Sequence, residues 1–181
     1  MKLTVPTSLA DITLEKYIKL SKLKPDDRVG QIATLCDISR KQVKRMEKSS
    51  FAEIEALVSG IEATDTDEFA FEKFVELEGI RYGMHPNLAE LSVGEYVDLD
   101  SLCEKPLENL PKIMAILYRP VIEENFGIYK VAAYTGHESE KPFLQMTMPN
   151  VLGMLNFFLT LGISFVKSSL PFLREEARAV T

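Results

Sequence analysis

The chain has no tryptophan, two cysteines, two histidines and nine dispersed glycines in 181 residues, and each scarcity removes a class of chemistry. Cys36 and Cys103 lie far apart and form no CxxC pair. That excludes a disulfide framework and a thiol redox motif, and the expectation is two free, buried thiols in a reducing cytoplasm. His85 and His137 stand alone, with no HxH or HxxxH spacing and no Cys/His cluster, so a zinc site has no ligand set. The glycines match neither GxxxxGK[ST] nor GxGxxG, and no serine sits in GxSxG. Without a phosphate loop, a metal cluster or a nucleophile elbow, the chain is expected to be a non-enzyme that takes no metal and no cofactor. Met1 to Pro6 holds no apolar stretch of signal-peptide length, so a secreted protein is not expected.

What is present is an ordinary globular composition, 46% hydrophobic and 27% charged, with enough length for one proper core or two small ones. The net charge of −6 is unevenly placed. Residues 1–50 hold 11 basic and 6 acidic side chains, and residues 51–181 hold 10 and 21. Such asymmetry marks a nucleic-acid arm or lets subunits stack, basic end on acidic body. Stacking is the stronger reading, because the acid surplus of the body would repel a duplex.

The periodicity predicts an α+β fold, mostly helical, with a small antiparallel hairpin sheet. Lys2 to Val5 reads as a short edge strand. Thr13 caps a helix over Leu14 to Leu23, and Pro25, Asp26 and Asp27 open a second one. There, Val29, Ile32, Ala33, Leu35 and Cys36 face a core. Ser39 caps a short basic helix from Arg40 to Glu47. Phe51, Ile54, Leu57, Val58 and Ile61 line one face of a fourth helix. The acidic stretch Ala63 to Asp67 is the candidate linker, dividing an N-terminal helical segment 1–63 from an α+β segment 64–181, although the two also suit one single domain. Beyond it, alternation around Glu78-Gly79 predicts a β-hairpin. Ser92 and Glu95 form a capping box for a helix over Val93 to Cys103, ended by Pro106. An apolar helix follows over Leu110 to Tyr118, stopped by Pro120. Ile128 to Tyr134 reads as a strand, Gly136 to Lys141 as a polar loop, and Val151 to Val166 as an apolar helix.

Three features bear on function. The stretch Val29 to Met46 reads as a helix-turn-helix or as a plain helical hairpin. In the first reading Arg40, Lys41, Lys44, Arg45 and Lys48 form a basic stripe that meets phosphates. Against it, Asp37 stands where glycine usually makes the turn, and the second helix is short. Glu95 and Asp98, three apart on one helix, suit a divalent cation, acid–base work or simply a solvated acidic face. Finally, Val151 to Val166 is sixteen uncharged residues, slightly short for a membrane span. A helix apolar on nearly all sides is a core helix or a subunit contact, with a membrane anchor over 151–173 as the alternative.

The order of these elements resembles a loosely defined group of tailed-bacteriophage proteins, the tail-assembly chaperones and related tail or baseplate assembly proteins. Ile32 to Val43 followed by Phe51 to Leu57 is similar to the group's run of apolar helix, Ser-containing turn, short helix and apolar helix. Phe74 to Tyr82 leading into Leu91 to Asp100 (LSVGEYVDLD) looks like its hairpin and "GEYIDLD"-type helix. Ile113 to Pro120 (IMAILYRP) looks like its helix ending in "LYRP", with the Phe-Phe helix after it. These pieces span residues 30–165. The resemblance implies a non-catalytic protein that binds other phage tail proteins as a homo- or hetero-oligomer, in the host cytoplasm during assembly or in the virion. It brings no functional residue list. Tyr96, Tyr118 and Arg119 are residue types that dominate interfaces, and Leu155, Phe158 and Leu159 lie in the apolar run; these six are the candidate contact residues. A helix-turn-helix regulator using Arg40, Lys41, Lys44, Arg45 and Lys48 is the alternative, and a small membrane-associated protein the second.

Overall fold

The structure is a computed structural model that describes residues 3–62 and 69–158. The candidate linker, Leu159 and the end of the apolar run lie outside these residues. Among those described, the fold is α+β, with helices packed about one four-stranded antiparallel sheet of order β1-β2-β3-β4.

Four helices come first: α1 (Leu14–Ser21), α2 (Arg28–Leu35), α3 (Arg40–Val43) and α4 (Lys48–Glu62). Their starts follow from local chemistry. The Thr13 hydroxyl accepts from the Lys16 N–H, Asp27 accepts from the Gly30 N–H, and Ser39 and Gln42 form a capping box. Asp37 makes the turn after α2 at φ +53°, the left-handed conformation that Asp tolerates better than most residues. The expected basic helix to Glu47 ends at Val43, and a turn leads into α4. Residues 3–7 are not a strand; Leu3 and Val5 instead pack against the core. Leu57 points to solvent, whereas Ile54, Val58 and Ile61 are buried.

The sheet is a meander of two hairpins. β1 (Phe74–Leu77) and β2 (Ile80–Met84) are joined by the expected Glu78-Gly79 turn, with both residues at positive φ. Then come α5 (Val93–Leu102) and α6 (Pro106–Leu117). Pro106 opens α6 where it was expected to end a helix, since proline suits the first helical position. α6 runs straight into β3 (Tyr118–Asn125), a strand absent from the sequence reading. The "LYRP" segment is therefore a helix-to-strand junction, not a helix end. β4 (Ile128–Val131) completes the sheet and is shorter than the expected strand.

One core joins the two halves of the chain. Leu14, Met114, Phe143, Met146, Met148 and Val151 are fully buried in it. Its seam is a short bridge: the Leu14 N–H donates to Met146 C=O at 2.8 Å, and the Met148 N–H to Ile12 C=O at 2.9 Å. The last described helix, α7, covers 148–158. Gly153 lets it press on the chain entering the sheet: a Cβ there would stand 2.1 Å from the Ala70 carbonyl oxygen. Phe157 of the same helix stacks on Phe71 at 4.3 Å. Cys36 is buried as expected, but Cys103 is exposed, because it caps the outer end of α5.

Candidate protein-contact site

The site centres on α5, whose polarity is reversed. Val93, Tyr96 and Val97 recur at helical spacing and are all exposed, Tyr96 by 63%. The charged Glu95, between them in sequence, is only 3% exposed. An isolated amphipathic helix would turn the other way. Two anchors hold this orientation. Glu95 Oε2 accepts from the Ser92 N–H at 2.7 Å and from the Ser92 hydroxyl at 2.6 Å, which completes the capping box. Glu95 Oε1 meets Arg119 Nη2 at 2.7 Å, and Arg119, 4% exposed, comes from the second residue of β3. Leu99 and Leu102 pack the same face of α5 against the core.

The cluster is buried but incompletely bonded. The Arg119–Glu95 contact brings the charges together without hydrogen-bond alignment at Oε1, and Arg119 Nε has no partner among the described residues. His85, from the loop after β2, places Nε2 4.0 Å from the same oxygen. Burial pushes the Glu95 carboxyl upward. The Ser92 hydroxyl and N–H, then the Arg119 and His85 charges, together outweigh burial and hold it below the ordinary glutamate range. Glu95 is thus an ionised, inward-facing anchor and leaves the apolar stripe to solvent.

Asp98, one turn along α5 from Glu95, accepts the Tyr134 hydroxyl, whereas Glu95 is engaged by Ser92 and Arg119. Burial and then the Asp98 bond raise the Tyr134 hydroxyl above its ordinary value. A groove of about 340 Å³ of mixed lining runs there, between Asp98, Ser101, Leu102, Lys112, Ile116 and Tyr134. Glu95 and Asp98 thus have separate partners, and among the described residues no group of three or more His, Cys, Asp or Glu side chains is arranged to hold a metal ion.

The other sequence-predicted residues are dispersed. Tyr118 is 1% exposed and donates its hydroxyl to Glu72 C=O at 2.6 Å. Burial, then the Tyr129 and Glu72 neighbours, push that hydroxyl well above its ordinary value. Leu155 and Phe158 are half-buried and pack against the core. Arg40 grips the Asp27 carboxylate through Nη1–Oδ1 at 3.0 Å and Nη2–Oδ2 at 2.5 Å. That pairing, followed by the Gly30 N–H, lowers Asp27 below the ordinary aspartate range. Lys41, Lys44, Arg45 and Lys48 are exposed around the four-residue α3. No helix among the described residues is long and apolar enough to cross a membrane.

Sequence reasoning missed two contributors, Val93 with Val97 as an exposed stripe and His85 beside Glu95. The stripe was in principle visible, as apolar residues at positions 93, 96 and 97 that share a face with Asp100 and not with Leu99 and Leu102. Comparison of the chain with protein-family models, with curated proteins and with solved structures finds no match.

Proposed function

We propose that the chain is a non-catalytic tail or baseplate assembly or structural protein of a tailed bacteriophage, which works by gripping other tail proteins in the host cytoplasm and, where it stays with the particle, in the virion. The observation that carries this reading is the reversed α5. A soluble monomer gains nothing from holding a tyrosine and two valines in water while burying a glutamate that needs a buried arginine to neutralise it. A rigid, outward aromatic flanked by aliphatic residues is what an interface anchor requires. Support also comes from the resemblance of the LSVGEYVDLD and IMAILYRP segments, which meet in space through Glu95 and Arg119.

The test is co-purification of the tagged chain with co-expressed neighbouring tail proteins. Tyr96→Asp is expected to reduce recovery of the partner at least tenfold while leaving the fold intact, since Tyr96 is largely exposed. Unchanged recovery would contradict the reading. One observation favours the regulator as a second reading: Lys41, Lys44, Arg45 and Lys48 are all exposed, from α3 through the following turn to the first residue of α4. That reading requires duplex binding that weakens steeply with salt and is lost in Lys44→Glu/Arg45→Glu.

A further inference from the structure

The groove beside the α5 stripe has two kinds of lining. Ile116, 5% exposed, and half-buried Leu102 give it an apolar wall. Asp98, Glu138 and Glu140 give it three carboxylates, each open or partly open to solvent. Each has acceptor capacity to spare. Asp98 uses Oδ2 for the Tyr134 hydroxyl, and Glu138 uses Oε1 for the Thr135 N–H and hydroxyl, which leaves Oδ1 and Oε2. The Glu140 carboxylate has no partner among the described residues.

The charge of the groove is not cancelled from within. Among the described residues Lys112 is the one cation in the lining, and neither it nor the three acids enters an ion pair. The surroundings keep the sign. Asp100, Glu104 and Glu108 add to the acids, Lys105 and Lys141 to the cations, and all five are exposed; His137 lies in the loop that carries Glu138 and Glu140. The field is felt at Tyr134, whose hydroxyl is raised by burial, then by the Asp98 bond, and then by the charges of Asp98, Glu138 and Glu95.

The groove also adjoins the stripe. Ser101 lines the groove and stands four residues after Val97, its neighbour on the helix surface, and Asp98 follows Val97 directly. A segment lying on Val93, Tyr96 and Val97 is therefore within one side chain's reach of the groove. An apolar wall set beside carboxylates suits arginine or lysine, whose methylene stem packs on apolar surface while the charged head finds its acceptors.

We propose that the partner held by α5 presents a basic side chain, arginine or lysine, that enters this groove with its stem along Leu102 and Ile116 and its charge among Asp98, Glu138 and Glu140. The proposal rests on the reading of the outer face of α5 as the contact surface, and not on the partner's being a tail protein. It makes recognition sensitive to salt, because these carboxylates are open to the ions of the solvent.

The experiment is selection of a displayed random-peptide library on the immobilised full chain, followed by fluorescence anisotropy of the selected peptides on wild type and three variants. Tyr96→Asp spoils the stripe. Asp98→Asn/Glu138→Gln/Glu140→Gln removes the charge and keeps an oxygen for Tyr134 and for Thr135. Lys112→Gln removes the opposing cation. The selected peptides are expected to pair arginine or lysine with apolar residues. They are expected to bind Tyr96→Asp roughly tenfold more weakly. The triple variant is expected to bind them about tenfold more weakly with little salt dependence left, and Lys112→Gln about threefold more tightly, a gain that no folding defect imitates. Peptides that Tyr96→Asp no longer binds, but that lack basic residues or bind the triple variant as they bind wild type, overturn the proposal and leave the α5 surface standing. Peptides indifferent to Tyr96→Asp, or no selection above an unrelated bait, overturn the proposal together with that surface.

Discussion

The Glu95–Arg119 pair offers the sharpest test of how α5 is held. Both side chains are almost wholly buried, and each neutralises the other at 2.7 Å. Removing one partner of such a pair strands a charge and costs about 3–5 kcal/mol. Here about 3 kcal/mol is expected for Arg119→Met, because Glu95 keeps both Ser92 bonds and has His85 at 4.0 Å. A similar loss of ~3 kcal/mol is expected for Glu95→Gln, whose single oxygen serves either the cap or Arg119 but not both. Independent effects would sum to about 6 kcal/mol. The double variant leaves no stranded charge and keeps an amide oxygen for Ser92, so it is expected to lose only ~3–4 kcal/mol, a coupling of about 2–3 kcal/mol. Urea unfolding reads this directly. With a slope of about 2 kcal/mol per molar, each single variant shifts the midpoint down by roughly 1.5 M and the double variant by little more. A double variant whose loss equals the sum of the singles would refute the claim that the pair acts as one anchor.

Two further predictions concern packing and acid. Gly153→Ala is expected to destabilise by about 1–3 kcal/mol, because the added methyl meets the Ala70 carbonyl, whereas Gly60→Ala on α4 meets nothing within 4 Å and is expected to stabilise by about 0.5–1 kcal/mol; thermal melts of the two variants check the pair. Because the folded Glu95 carboxyl is held below its ordinary value, its stabilising contribution is complete above the unfolded value of about 4.3 and is lost as pH falls through the lower folded value. Glu95→Gln is therefore expected to flatten the stability–pH curve below about pH 4.3 in urea titrations, and an unchanged slope would assign the acid sensitivity to other carboxylates.

The parts of the fold legible in the sequence are those set by neighbours in the chain. Thr13, Ser39 and Ser92 announce helix starts because a side-chain oxygen reaches an N–H two or three residues on. Glu78-Gly79 announces the first hairpin for an equally local reason. The second hairpin escaped because its turn uses phenylalanine, and because Pro120 looks like a helix stop. Pro120 sits inside a strand, two residues before the register irregularity between Val121 and Glu123, the kind of place where a sheet tolerates proline. The candidate site was half legible. Tyr96 and Arg119 stood out by residue type, but no local pattern says that Arg119 turns inward to meet Glu95 or that Tyr96 thereby turns outward. Tyr118 has the same residue type as Tyr96 and the opposite fate, since its hydroxyl finds Glu72 C=O inside the fold.

The central claim, that the outward face of α5 is the surface that grips another protein, is tested most directly by site-specific photo-crosslinking. A photoreactive amino acid is placed at Val97 in one chain and at Lys44 in another, and each is irradiated in cells that also make the proposed tail-protein partners. The account predicts a discrete adduct with a tail protein from position 97 and none from position 44. An adduct from position 44 alone would contradict it and move the contact to the basic turn after α3.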